Sequence, residues 1–432
     1  MAKHSKQPER RKVIQLKDHL PQRQPQKEKS AGSTPEESPQ AAIEYEDEPG
    51  TEEKKKAWQA PKAFYRVAVV LLVAVLGLAV WVNRDSLTPQ NIWDWLQLQV
   101  TGDGTGDGYP VAITGSSVTE GNFLSEGGNA VALSDTSLTI SDASGKEIVS
   151  LRHSFNQPIL KADSGQYLLY NQDSTGYAVV SGTETKLERS AAKDILVGTI
   201  CQSGRFALAT QGEKGATDLT VYLANGEEQF DYSFAQDYVT AVALNPEGTW
   251  AMVCSARSQG GELVSKITVF DLNQANPVAE YETRDNLLLD AYWGDNGVLY
   301  AVGDSSLVRA KASDLSFSEY SYDGRTPTAL RFANGQVYLS ISSYAHAGSC
   351  TLLVFRGMDD PVEIQVEERV QVLSVYGGTV GALVNQQLIL YDSSMGNELA
   401  RADAGSDAKS IALANESTAY VLGVSEIRKL QL

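Results

Sequence analysis

The histidines and cysteines are the residues of this sequence best suited to hold a metal, and their spacing does not support a metal site. After residue 83 the chain has two histidines, His153 and His346, and three cysteines, Cys201, Cys254 and Cys350. Zinc sites need three or four such ligands at close, regular spacing, whereas these residues are far apart and form no CxxC pair. We expect two isolated loop histidines and predict no metal and no cofactor.

The cysteines fit a structural role better. They are odd in number and widely spaced, and each lies in or beside an apolar run. Free cysteine packs in proteins as a small hydrophobic residue, while small secreted folds held by disulfides have many cysteines in even numbers. We therefore expect buried thiols, with a single disulfide as the alternative.

Motifs for nucleophilic catalysis are missing. GxSxG does not occur, and the SxxK pattern from Ser190 to Lys193 lacks a companion KTG and falls between predicted strands. The carboxylate pairs Asp359-Asp360 and Glu367-Glu368 are expected at a turn and at a strand end. The sequence thus predicts no catalytic residue and a protein that is not an enzyme.

Residues 101–108, TGDGTGDG, place two aspartates among glycines, as calcium loops do. An EF-hand loop also needs an oxygen ligand at its fifth position, a glycine at its sixth and a glutamate at its twelfth. Neither register of this segment supplies all of these. We interpret it as a flexible linker.

Aromatic and methionine side chains in predicted loops are the best candidates for contacts with a partner, because such residues are enriched at protein interfaces. The residues chosen on this ground are Trp293, Tyr344, His346, Met358 and Tyr376. For each of them taken singly, a packing role in the core is the alternative. Trp250, which starts an apolar run, is expected in the core.

The stretch from Phe64 to Asn83, FYRVAVVLLVAVLGLAVWVN, has the length and apolarity of one membrane-spanning helix. Basic residues cluster before it, at Lys54, Lys55, Lys56, Lys62 and Arg66. Only Arg84 follows it closely, so the N-terminus is predicted to be cytoplasmic. The stretch begins later than a normal signal peptide; a cleaved signal and a buried helix are the alternatives. We expect Phe64 to Asn83 to hold the protein in the lipid bilayer.

The segments on either side of this stretch differ in composition. Residues 1–60 are rich in polar residues and proline and poor in aliphatic residues, which predicts a disordered cytoplasmic tail. Residues 84–108 predict a short juxtamembrane helix and the glycine-rich linker. From Asn83 onward the chain has 22 basic and 43 acidic residues. This charge argues against nucleic acid as a ligand of the exported part and favours either solubility or a basic partner.

From Tyr109 onward, a turn followed by an apolar run recurs eight times. The turns contain Gly128, Gly165, Gly204, Gly248, Gly297, Gly335, Gly378 and Asn415. Their spacing of 37 to 49 residues is close to the repeat of about 40 to 45 residues of a four-stranded propeller blade. Apolar runs such as Ile195–Ile200 and Val239–Leu244 predict the inner strand of each blade.

The ends of the chain bear on the number of blades. The last repeat has room for only three strands, and Pro110–Thr114 upstream of the first repeat could supply the fourth. This closure favours an all-β, eight-bladed β-propeller over residues 109–432. Seven blades is the alternative, if one irregular repeat, such as the first, is not a true blade.

The eight turns and the hairpin YDSSMGNEL at 391–399 resemble the quinoprotein-type, WD40-like eight-bladed propellers, which include dehydrogenases and non-catalytic scaffolds. The order of polar tail, single span, SLTPQNIWDWLQ, GDGYPVAITGSSV and NAVALSDTSLTISDASGKE is similar to that of an uncharacterised family of membrane-anchored proteins of clostridial Firmicutes. The second resemblance covers the chain from about residue 64 and implies a Gram-positive cell surface. The dehydrogenases use adjacent cysteines and calcium, and this chain has no adjacent cysteines.

These patterns predict a single-pass plasma-membrane protein whose extracellular propeller is a non-catalytic binding module or scaffold for a protein, peptide or cell-wall partner. Two alternatives stay open. One is an enzyme that uses carboxylates at the propeller channel, which convergent carboxylates with shifted pKa values at one mouth would favour. The other is a signal transducer whose output is the N-terminal tail.

Overall fold

The computed structural model of the chain describes residues 108–432 except 345 and 347. All secondary-structure elements in this part of the chain are β-strands, and there are 31 of them. Within these residues no helix of the length and apolarity of a membrane span was found. The predicted tail, the apolar stretch from Phe64 to Asn83 and the segment 84–107 lie outside the described residues.

Five sheets each consist of four consecutive antiparallel strands. The first sheet contains β2 (Val118–Glu126), β3 (Asn129–Ser134), β4 (Ser137–Ser141) and β5 (Glu147–Arg152). The next contains β13 (Tyr238–Leu244), β14 (Trp250–Gln259), β15 (Glu262–Asp271) and β16 (Ala279–Arg284). It is followed by β17 (Leu288–Trp293), β18 (Val298–Gly303), β19 (Ser306–Lys311) and β20 (Ser318–Ser321).

The other two sheets of this kind follow directly in the chain. One contains β21 (Thr326–Ala333), β22 (Gln336–Ser342), β23 (Cys350–Arg356) and β24 (Val362–Val366). The other contains β25 (Val370–Tyr376), β26 (Thr379–Val384), β27 (Gln387–Asp392) and β28 (Glu398–Asp403). In all five, the order along the sheet is the order along the chain.

One larger sheet has seven strands. These are β6 (Pro158–Asp163), β7 (Gln166–Asn171), β8 (Ser174–Ser181), β9 (Glu184–Ile200), β10 (Phe206–Gln211), β11 (Thr217–Tyr222) and β12 (Glu228–Phe234). The first half of β9 pairs with β8 and its second half with β10. One continuous strand of 17 residues therefore ends one four-stranded group and begins the next.

The last sheet joins the two ends of the described chain. It contains β29 (Ser410–Asn415), β30 (Thr418–Leu422), β31 (Glu426–Gln431) and, at its edge, β1 (Val111–Ala112). Val111 pairs with Ile427, and Ala112 with Glu426. The predicted closure by the segment Pro110–Thr114 is confirmed.

The hydrophobic core is divided into eight clusters, each between successive four-stranded groups. One cluster joins the first and last groups, because Phe123 and Ala132 pack with Tyr420 and Ile427. Another joins the two halves of the seven-stranded sheet, where Leu168 packs with Phe206 and Leu208. Burial of apolar faces between the sheets is the main term holding such a fold together.

The eight predicted turns all lie between the first and second strands of a group. Glycines such as Gly165 and Gly297 have positive φ there (78° and 73°), a conformation that other residues adopt at a cost. Neighbouring turns are hydrogen-bonded: Ser203 N to Pro246 O at 3.2 Å, and Asn334 Nδ2 to Gly377 O at 3.1 Å. These turns therefore share one face, which we call the turn face. The second-to-third turns and the links between groups form the opposite link face.

Candidate functional site

The turn face has acidic residues where the first strands end. Glu126 is the last residue of β2, Asp163 is the last residue of β6, and Asp295 lies in the turn after β17. Burial raises the pKa of Glu126, and the charge of Asp163 raises it further. Burial also raises the pKa of Asp163, with a smaller contribution from Asp295. We call these three carboxyl groups the acidic mouth. They come from sequence-distant strands, and Asp163 interacts with each of the other two.

Basic residues lie deeper along two of the first strands, β6 and β21. Arg331 of β21 interacts with Glu126, and burial lowers the pKa of its guanidinium. Within the described residues its Nε atom is buried and has no hydrogen-bond partner. On β6, the pKa of Lys161 is raised by Asp290 of β17. The first strands thus enclose charges of both signs.

A cavity of about 90 Å³ lies between the first strands of four groups. Residues of β2, β21, β25 and β29 line it, among them Glu120, Arg331, Ser374 and Ser410. Burial raises the pKa of Glu120 as well. Carboxyl groups with raised pKa values can hold a proton at a pH where ordinary ones have lost it, as general acids do. No group of three or more potential metal ligands occurs among the described residues.

A larger cavity, of about 390 Å³, opens on the turn face between the turns that follow β13 and β17. Trp250 and Trp293 lie side by side in its wall, with ring centroids 6.2 Å apart and an interplanar angle of 55°. The exposed carboxylates of Glu247 and Asp295 also line it. Its volume is in the usual range of ligand sites, about 300 to 1,000 Å³. We call it the tryptophan pocket.

Comparison with known protein families identifies the family to which the chain belongs. A model of DUF5711, a family of unknown function, matches residues 105–323, just over half of the sequence. The chain belongs to the DUF5711 family. A search of curated proteins found no match to it.

Two solved structures are similar to this DUF5711 chain. BamB from Moraxella catarrhalis has a TM-score of 0.46 and 12% identity, and the match covers 75% of this chain and 100% of BamB. Sqt1 from Saccharomyces cerevisiae has a TM-score of 0.52 and 10% identity, again over 75% of this chain and 100% of Sqt1. Both are β-propeller proteins. The likeness to Sqt1 shows a propeller-like, all-β fold for the DUF5711 chain.

The five predicted contact residues do not lie together. Trp293, Met358 and Tyr376 are on the turn face, whereas Tyr344 and His346 lie between β22 and β23 on the link face. Tyr344 and Tyr376 are exposed (59% and 44%), and Met358 packs partly on the core. The prediction of a loop at Trp293 is wrong. This residue ends β17 and is only 7% exposed, because it packs on Trp250 and on the core between two sheets.

Of the remaining predictions, some agree with the structure and others do not. The three cysteines are buried and free, as expected. His153 lies in a loop, where its Nε2 is 3.1 Å from Ser134 O and burial lowers its pKa. The SxxK residues Ser190 and Lys193 lie within β9, not between strands, because no glycine or proline interrupts residues 184–197. Trp250, expected in the core, is half-buried and lines the tryptophan pocket.

Sequence reasoning missed the acidic mouth of this DUF5711 chain. A signal was present: an acidic residue stands one or two positions before the turn glycine at Glu126, Asp163, Glu247 and Asp295. Read one turn at a time, these residues look like ordinary turn formers. Only the convergence of turns from different sheets shows that they form a shared acidic surface.

Proposed function

We propose that this chain is a single-pass, membrane-anchored extracytoplasmic β-propeller of eight blades that acts as a non-catalytic binding module. The eight core clusters and the double pairing of β9 support eight blades, since the seven-stranded sheet then counts as two. The partner is a basic protein, peptide or cell-wall component. The tryptophan pocket on an acidic turn face is the observation that carries this proposal.

The turn face has the properties of a contact surface. Several of its neighbouring turns are tied together by hydrogen bonds, which limits their motion before a partner binds. It combines exposed Tyr376 with carboxylates from several turns. Complementary charge speeds the encounter of partners, and aromatic side chains supply much of the binding energy.

Photo-crosslinking in the producing cell tests this proposal. A benzophenone amino acid replaces Tyr376 on the turn face in one variant and Tyr238, which is 61% exposed on the link face, in another. We expect a discrete crosslinked partner from position 376 and none from position 238. Crosslinks from 238 alone, or from neither position, contradict the assignment of the turn face.

The proposed membrane topology has its own test. Since the native cysteines are buried, single added cysteines report accessibility. A membrane-impermeant maleimide should label Ser406→Cys in intact cells, because this position is exposed on the propeller. Ser5→Cys in the tail should be labelled only after lysis. Labelling of both positions in intact cells would contradict a cytoplasmic tail.

A carboxylate-based enzyme at the acidic mouth is the second candidate, because Glu126 and Asp163 converge and have raised pKa values. The variants Glu126→Gln and Asp163→Asn separate the two functions. An enzyme loses its cellular role in these variants while the crosslink from position 376 is unchanged. If both variants restore a deletion strain as well as the wild type does, the enzyme candidate fails.

A further inference from the structure

The tryptophan pocket lies where the turn face is open. Several other pairs of neighbouring turns are bridged, for example by the 2.7 Å hydrogen bond from Asn296 Nδ2 to Gly335 O. The turns after β13 and after β17 share no hydrogen bond in the described part of the chain, and the cavity of about 390 Å³ occupies this place. The pocket therefore lies at a junction of two turns that no hydrogen bond bridges among the described residues.

The two turns fix the groups that line the pocket. Asn245 is buried, and its Oδ1 accepts hydrogen bonds from the backbone nitrogens of Thr249 (2.7 Å) and Trp250 (2.8 Å). Its Nδ2 donates to Oε2 of Glu247 at 2.6 Å. One buried amide thus positions both a tryptophan and a carboxylate. On the other side Asp295 lies against Gly335, where an added Cβ would be only 2.5 Å from its Oδ1.

The lining has the chemistry of a cation site. Indole faces attract ammonium and guanidinium groups through the ring quadrupole, and carboxylates pair with the same groups. The described residues that line the pocket include two acidic side chains and no basic one. We propose that the tryptophan pocket receives a lysine or arginine side chain of the partner protein. This inference rests on the proposed binding function and names the chemistry of its central contact.

Tryptophan fluorescence of the full chain tests the inference. Of the six tryptophans, Trp58, Trp81, Trp93 and Trp95 are replaced by phenylalanine, so that Trp250 and Trp293 alone report. The detergent-solubilised protein is titrated with N-acetyl-lysine methylamide, N-acetyl-arginine methylamide, uncharged N-acetyl-norleucine methylamide and tetramethylammonium. We expect saturable quenching by the lysine and arginine probes and at least fivefold weaker binding of norleucine.

Three variants locate the binding. Asp295→Asn and Glu247→Gln should each weaken binding of the lysine probe by about fivefold, as expected for loss of one exposed charge pair. Glu416→Gln, which removes an exposed carboxylate from another turn of the same face, is the matched control and should have no effect. Ser313→Lys, at the rim, should block binding because its own side chain can fill the pocket.

The outcomes distinguish this inference from the function on which it rests. Equal binding of lysine and norleucine, no binding of either, or binding of tetramethylammonium alone overturns the pocket assignment. If the crosslink from position 376 persists in that case, the binding module stands without this contact. If the lysine probe binds but no crosslink forms, the pocket is a cation site and the proposed partner surface is wrong.

Discussion

The hydroxyl of Tyr420 donates a hydrogen bond of 2.6 Å to the carbonyl oxygen of Gly128, a residue 292 positions earlier in the chain. Tyr420 belongs to β30 of the last sheet, and Gly128 lies in the first turn. The same tyrosine ring is 5.1 Å from that of Tyr109. One buried side chain thus joins the beginning and the end of the described chain, in addition to the β1–β31 pairing.

Removal of this hydroxyl should weaken the closure. We expect Tyr420→Phe to lower the free energy of unfolding by about 1 kcal/mol, the usual contribution of one such hydrogen bond. Urea unfolding followed by circular dichroism measures the change. Tyr376→Phe, at an exposed position, is the control and should unfold as the wild type does. Equal stability of all three proteins would show that the closure does not depend on this contact.

The acidic mouth should make stability depend on pH. Because the native pKa of Asp163 is raised, the native state holds this proton to a higher pH than the unfolded state does. Asp163 therefore costs stability as pH rises above the ordinary aspartate pKa, about 4. We expect Asp163→Asn to match the wild type near pH 4 and to be the more stable protein at pH 7. Unfolding curves across this range measure the difference, and a variant that is less stable at pH 7 would contradict it.

The ion pair of Asp407 and Arg428 should have the opposite pH dependence. Their atoms pair twice, Oδ1 with Nη2 at 2.7 Å and Oδ2 with Nη1 at 3.1 Å. The hydrogen bonds from Arg428 lower the pKa of Asp407 to about 2. The stabilisation is complete above pH 4 and is lost as pH falls toward 2.

The variant Asp407→Asn isolates this contribution. It should be less stable than the wild type at pH 7 by at most about 1 kcal/mol, because the pair is partly exposed to solvent. The difference should shrink as pH falls from 4 and should vanish only below pH 2. Arg428→Lys keeps the charge but loses the paired geometry, so its stability at pH 7 should lie between the two. A constant difference across the pH range would exclude the ion pair as the cause.

The cysteines should be unreactive in the native protein. Burial raises the pKa of Cys201 to about 11, and burial also raises the pKa of Cys254. Thiolates are the reactive form, so we expect no fast reaction with Ellman's reagent at pH 8 and reaction of all three thiols in denaturant. Ser406→Cys provides one exposed thiol as a positive control. A fast-reacting native cysteine would show local opening around it.

Much of the fold could be predicted from local chemistry. A turn such as that at Gly165 needs a residue that tolerates positive φ, and the strands beside it need apolar residues on the buried face. Both signals lie within about ten residues of sequence. The closure by Val111 was also predictable, because the last repeat has too few strands to complete a blade.

The site was harder to predict because its parts are distant in sequence. Glu126 and Arg331 interact only when the first and sixth turns share one face. Trp250, expected in the core, is half-buried, whereas Trp293, expected in a loop, is buried. Both residues lie beside turns, and the packing of neighbouring sheets decides which of them is buried. Neither the interaction of Glu126 with Arg331 nor the burial of Trp293 can be predicted from a short stretch of neighbouring residues.

The short edge strand β1 determines how the closure between the two ends of the described chain responds to a pulling force. It is two residues long and is hydrogen-bonded to β31, so tension applied upstream of Gly108 reaches these two residue pairs as soon as the hydrogen bonds of Gly108 and Tyr109 to residues 142–144 have broken. A pair of this length opens at lower force than the six-residue pairings elsewhere, such as β26 with β27. Under load the last sheet would lose its outer strand and keep the other three, and the strand could return when the load is released.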